Sequence, residues 1–144
     1  VAGKPDEHLS VEETRWGPIL AKDVDGTPLA LAWTAQQPGG LDLGIGRMEL
    51  ARSLDDAVAI ARSSGMPPQN LVAGDRAGRI AWTIAGRIPK RVGGFDPELP
   101  ADWSQEGTGW NGWLDANDYP GLANPADHRI WTANQRIVDA AMLA

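Results

Sequence analysis

Apolar and polar positions alternate in short stretches along this chain, and only one segment carries a clear helical period. Residues 9–16, Leu-Ser-Val-Glu-Glu-Thr-Arg-Trp, alternate loosely and predict a strand. Gly17-Pro18 punctuates it, and Ile19-Leu20-Ala21 continues extended. Residues 23–28 hold an Asp-Gly pair, which supplies the positive φ of a tight turn. Residues 28–35 then predict the returning strand. The Asp-x-Asp-Gly string in this turn lacks the later ligands of a calcium-binding EF-hand, so the turn reading is preferred.

Residues 44–51 have no clear period. Ser53-Leu54-Asp55-Asp56 opens the helix: Ser53 can cap the amide three residues on, and Asp56 can return the bond. Leu54, Ala57, Val58 and Ala61 form one apolar stripe, and Gly65 with Pro67-Pro68 stops it. Leu71 to Gly74 predicts a strand, residues 75–78 a hairpin loop, and residues 79–85 the alternating partner. Trp82 shares the spacing of Ile80 and Ile84, which puts all three on one face. Residues 87–125 show almost no periodicity, and runs that long are usually functional or packed on another element. Residues 129–134 predict a last strand, and a second helix is expected near Val138.

Composition sharpens this picture. The chain has 144 residues, enough for one domain. Gly and Pro make about a fifth of it, against a usual share of about an eighth. Seven Trp stand beside one Tyr and one Phe, and the aliphatic core is lean. A short, loop-rich chain of this kind is expected to depend on a neighbour for burial. The chain starts at Val1 without a signal-peptide pattern and stops at Ala144 inside an apolar run, so a fragment is expected. A net charge of −6 argues against nucleic acid as a partner, and no apolar run is long enough for a membrane span.

Few residues are left to carry chemistry. There is no cysteine, so thiol catalysis and Cys-based zinc sites are excluded. Of the two histidines, His8 lies in a charged start and His128 at a predicted turn, and no Gly-x-Ser-x-Gly elbow accompanies them. The pairs Glu12/Glu13, Asp55/Asp56 and Asp115/Asp118 read as hydrated surface. The tryptophans leave two readings: buried bulk for a lean core, which is preferred, or the exposed platform of a carbohydrate-binding module.

The segment from Asn70 to Arg91 changes the weighting. Its Asn70, the strand ending at Asp75, Gly78, Ile80, Gly86 and Pro89-Lys90-Arg91 resemble, in ungapped register, the penicillin amidase (penicillin acylase) family of N-terminal nucleophile hydrolases. Gly74 stands where that family usually has Ala. Further pieces follow in the family's order. They are Thr14-Arg15-Trp16-Gly17-Pro18-Ile19-Leu20, Leu29 to Ala35, Gly94-Phe95-Asp96-Pro97 with Leu99-Pro100, Trp110-Asn111-Gly112-Trp113-Leu114, Asn124-Pro125, and Arg129-Ile130-Trp131-Thr132-Ala133-Asn134-Gln135-Arg136. Each is weak alone, but the ordered set covers nearly the whole chain.

The resemblance implies a specific chemistry. The family cleaves an amide with a Ser exposed by autocatalytic processing, whose own α-amine serves as base, so no His is needed. A backbone N–H and an Asn carboxamide hold the tetrahedral oxyanion, and Asn134 matches that Asn. A carboxamide donates a neutral N–H that does not titrate near pH 7. Some members bind a structural calcium partly through the carbonyl of a Pro at the position of Pro97; the carboxylate ligands fall outside this chain. Three departures stand out: Val1 supplies no nucleophile, Gln135 replaces a common second Asn, and Trp16 stands where many members have His.

The expectation is therefore an α+β chain, mostly antiparallel sheet with one or two helices. It would be an internal piece of the β subunit of a four-layer αββα hydrolase, covering residues 1–144 as a single partial domain. Its expected partners are the remainder of the α and β chains and a small-molecule amide; no cofactor is expected in this fragment, and calcium only in the complete protein. The resemblance implies a periplasmic or secreted enzyme. An acyl-homoserine lactone acylase of the same family, a carbohydrate-binding module and a structural domain without catalysis remain the alternatives.

Overall fold

The structure is a computed structural model that describes residues 3 and 5–133. Three antiparallel sheets and one α-helix organise it. In the first sheet, β1 (Glu13–Thr14) pairs with β2 (Gly17–Lys22), which pairs with β3 (Pro28–Ala30). The predicted strand over 9–16 is shorter than its pattern, although Ile19 still donates to the Glu12 carbonyl at 2.9 Å. The returning strand also stops early. Leu31 pairs once with Pro18 at 2.9 Å, and residues Thr34–Gln36 then turn as a short 3-10 helix. Leu20 in this sheet and Leu31 and Trp33 just beyond it are exposed, and Ile19 and Leu29 are only half-buried, so the alternation has no fully buried face.

The helix α1 (Leu54–Ser63) begins as the sequence predicts. Ser53 Oγ accepts from the Asp56 amide at 3.0 Å, and Asp56 Oδ2 returns the favour to the Arg52 amide at 3.0 Å. Leu54 and Ala61 of the stripe are buried. Before the helix, residues Gly44–Leu50 coil as 3-10 turns where the sequence has no period.

The helix packs on the second sheet, in which β5 (Ile80–Ala85) lies between β4 (Gln69–Gly74) and β8 (Gly121–Ala123). Trp82 is buried, as its alternation predicts. The opposite face of β5, Ala81, Thr83 and Ala85, is buried at least as deeply. Its small residues let α1 come close, and Arg62 ties the layers together. The Arg62 Nε donates to Thr83 Oγ1 at 3.0 Å, and its guanidinium also donates to the Ala116 carbonyl at 2.9 Å. Thr83, fully buried, passes its own proton to the Pro120 carbonyl at 2.9 Å. Each buried polar atom here has a partner, which a close-packed interior requires.

Two further strands, β6 (Pro89–Val92) and β7 (Gly109–Trp113), pair within the stretch that carries no period. Their alternation is hidden by Pro89, Gly109 and Gly112, and a register shift interrupts the pairing between Pro89 and Arg91. Tyr119 anchors the end of this region. Its hydroxyl donates to the Gly86 carbonyl at 3.0 Å and accepts from the Ile88 amide at 3.1 Å. Burial raises the Tyr119 pKa above its ordinary value.

The rings of Trp16, Phe95 and Trp110 surround Trp103, with centroids 5.0, 5.0 and 5.7 Å from it. These are the spacings of packed aromatic pairs rather than of a flat exposed platform. Trp33 and Trp131 are the exposed tryptophans. The expected last strand over 129–134 is not paired into a sheet in its described part, residues 129–133. Its end, like the helix expected near Val138, lies outside the described residues.

Candidate functional site

The candidate site is built where the chain returns to β4. The β4–β5 hairpin is closed by Asp75. Its Oδ1 accepts from the Ala77 and Arg79 amides at 2.9 and 3.1 Å, and its Oδ2 from Arg79 Nε at 2.7 Å. Arg79 also reaches Asp55 of the helix at 3.1 Å. The bond from the Arg79 side chain is the largest influence holding the Asp75 carboxyl below its ordinary pKa, and the amides add to it. Backbone amides likewise depress Asp42 and Asp56.

Such carboxylates bind protons more weakly folded than unfolded. Their stabilisation is complete above the unfolded value and is lost as pH falls through the folded one. Unfolding midpoints in urea are therefore expected to drop below about pH 4. The drop should be shallower in Asp75→Asn than in the parent; equal acid slopes would show that Asp75 contributes nothing.

On the far edge of the sheet, Asn124 completes β8. Its side-chain oxygen accepts from the Ile80 amide at 3.0 Å, and its own amide donates to the Ile80 carbonyl at 2.9 Å. Asn124 holds φ +46°, and His128 φ +54° closes the next turn by donating to the Pro125 carbonyl at 2.9 Å. This Asn-Pro turn redirects the chain into residues 129–133, and at Ala133 it meets β4. The Asn70 Nδ2 donates to the Ala133 carbonyl at 3.2 Å, while Asn70 Oδ1 accepts from the Trp82 indole at 2.9 Å. Asn70 lies opposite Ile84 in the register, so Trp82 is its diagonal neighbour on the same face.

Asn134, the candidate oxyanion donor, lies outside the described residues, one position beyond the Ala133 that Asn70 holds. Pro97 sits in a turn capped by Asp96, whose Oδ1 accepts from the Glu98 amide at 2.9 Å. Among the described residues no group of three His, Cys, Asp or Glu could hold a metal. One prolyl carbonyl is a single ligand of the six to eight that calcium takes, so these residues do not make that site by themselves. His8 and His128 are both exposed. A hollow of about 650 Å³ lies beside Trp16 and Trp110, and another of about 500 Å³ runs along α1, β5 and β8. Neither is lined by Asn70 or Ala133.

The ordered motifs thus have structural jobs: Asp75 closes the β4–β5 hairpin, Asn124 ties the end of β8 to Ile80, and Asn70, near the other end of the hairpin, bonds to Ala133. A family model described as penicillin amidase matches residues 1–144. The chain belongs to the penicillin amidase family. Among its curated relatives, the penicillin acylase 2 proenzyme of Pseudomonas sp. (strain SE83) is 35% identical over 144 residues, 96% of this chain and 18% of that protein. The acyl-homoserine lactone acylase QuiP of Pseudomonas fluorescens (strain Pf0-1) is 30% identical over 148 residues, 96% of this chain and 17% of that protein. The chain therefore spans roughly a fifth of the length of these relatives.

A solved structure of a thermostable penicillin G acylase from Alcaligenes faecalis matches with a TM-score of 0.76 and 20% identity, covering 97% of this chain and 25% of that one. The α+β, mostly antiparallel architecture is thus part of the penicillin acylase fold. Membership in this family stands against the carbohydrate-module reading. No helix among the described residues is long and apolar enough to cross a membrane.

One contact escaped the sequence. Asn70 is legible as a motif residue, but its bond to Ala133 joins positions 63 apart through a turn whose path depends on two residues at positive φ.

Proposed function

We propose that the complete protein hydrolyses a linear amide, releasing an acid from an amine, and that this chain contributes core strands and the oxyanion donor Asn134. The observation that carries this reading is the 35% identity to a penicillin acylase proenzyme across 96% of the chain. In this reading the nucleophile is a Ser at the start of a processed chain, beyond the segment described. Its Oγ attacks the carbonyl carbon while its α-amine takes the proton. The carbonyl oxygen becomes an oxyanion held by Asn134 and a backbone N–H. Collapse expels the amine, which takes the proton, and leaves an acyl ester. Water then attacks the ester, and the acid departs as the Ser regains its proton. The partners are the remaining α and β chains, and the location is periplasmic or secreted.

A second reading, an acylase acting on acyl-homoserine lactones, is favoured by the 30% identity to the relative of that name. It uses the same chemistry on a different amine. The test is to incubate the processed, complete protein with a chromogenic phenylacetyl anilide and with a series of acyl-homoserine lactones, identifying both products by mass. We expect one class to be cleaved and activity to vanish with a covalent Ser reagent, while residues 1–144 alone give no turnover. Cleavage of neither class by processed, reagent-titrated protein would contradict the proposal.

A further inference from the structure

Four asparagines fall among the described residues, at positions 70, 111, 117 and 124. Asparagine is a thermolabile residue, because the amide nitrogen of the next residue can attack its carboxamide. The route is hindered at three of them. The Asn70 carboxamide is bonded to the Trp82 indole and to the Ala133 carbonyl, which hold it in place. The amide that follows Asn117, on Asp118, donates to the Asp115 carbonyl at 2.9 Å. Pro125 follows Asn124 and has no N–H.

Asn111 is different. Gly112 follows it, and both are exposed in β7. They form the irregular point of the β6–β7 pair. Pro89 faces Trp113 and Arg91 faces Trp110, so Lys90 alone stands opposite Asn111 and Gly112. This is a β-bulge, where the ladder is locally broken. Gly112 holds φ +74°, and a Cβ there would meet nothing within 4 Å. The side of Gly112 where a side chain would stand is therefore empty. Asn111 also borders the hollow beside Trp16 and Trp110, so water reaches it.

We propose that Asn111 is a site of spontaneous deamidation, converted through a cyclic imide to an aspartyl or isoaspartyl residue. Peptide-bond resonance makes the Gly112 nitrogen a poor nucleophile until hydroxide removes its proton. The nitrogen then bonds to Asn111 Cγ, the Cγ–Nδ2 bond breaks, and ammonia leaves with a proton from water. That proton transfer regenerates the hydroxide. A second water adds to one of the two imide carbonyls. Opening at Cγ leaves an aspartyl residue; opening at the main-chain carbonyl routes the backbone through Cβ and Cγ and lengthens it by one carbon. Either product adds a negative charge to a hollow that Arg15 and Glu106 also line. The reaction is independent of the amide hydrolysis proposed above and needs only water and hydroxide.

The test holds the complete, folded protein in mildly alkaline and in mildly acidic buffer and then digests it with trypsin. A guanidinium-unfolded sample, kept until its Asn111 has converted, sets the time. Asn111, Asn117 and Asn124 share the tryptic peptide 92–129, so fragmentation within it locates the change. We expect position 111 of the folded protein to convert ahead of the other three, faster in the alkaline buffer. Part of the product should be labelled by an isoaspartyl methyltransferase, and Asn111→Ala should abolish the labelling of this peptide. Conversion at position 117 or 124 before 111 overturns the proposal. So does an intact Asn111 in the folded protein once the unfolded sample has converted.

Discussion

Gly86→Ala is expected to destabilise the complete protein by about 3 kcal/mol, seen as a lower urea midpoint and a lower soluble yield. Gly86 ends β5 at φ +96°, and its amide donates to the Ala61 carbonyl of the helix at 3.0 Å. A Cβ there would overlap the Met66 carbonyl and lie 3.1 Å from the Pro67 carbonyl. The left-handed conformation alone costs a side chain about 1–2 kcal/mol. The overlap adds a similar amount, because the obstructing atoms are backbone and cannot swing away.

Gly78 separates the two effects. It holds φ +82°, yet a Cβ would meet nothing within 4 Å. Gly78→Ala should therefore cost only about 1–2 kcal/mol. Equal losses at the two sites would show that the contact beneath Gly86 has no energetic weight. The position matters to the site because Tyr119 bonds to the same Gly86 carbonyl, and β5 carries Trp82.

What the sequence made legible follows from where the physics is local. The Ser53–Asp56 cap, the stripe through Leu54 and Ala61, and the Asp75–Gly78 hairpin are decided within a few residues, and each stands where the pattern puts it. Residues 9–12 and 31–35 alternate like strands but gain no sheet partner beyond single bonds, because pairing depends on a neighbour the pattern does not specify. The strands at 89–92 and 109–113 were hidden for the converse reason. Their residues include Pro and Gly, and they exist because each supplies the other's hydrogen bonds. At the candidate site, the resemblance singled out Asn134. The bond from Asn70 to Ala133 needed the fold, since nothing local connects residue 70 to residue 133.

The second large effect is on rate. Asn134→Ala in the complete enzyme should lower kcat about 10²–10³-fold, roughly 3–4 kcal/mol, and leave KM nearly unchanged. If Asn134 is the oxyanion donor, the loss falls on the chemical step, because such a donor acts on a charge that exists only in the transition state. If Asn134 instead bonds only to backbone, its removal would cost about 1–2 kcal/mol of stability while the folded fraction kept its rate. Counting active sites with a covalent Ser reagent separates these cases, because it reports only folded, processed protein. The measurement is kcat per titrated site for Asn134→Ala beside the parent. We predict a titratable enzyme slowed at least a hundredfold; a titratable Asn134→Ala enzyme with the parent's kcat would contradict the catalytic role assigned to this chain.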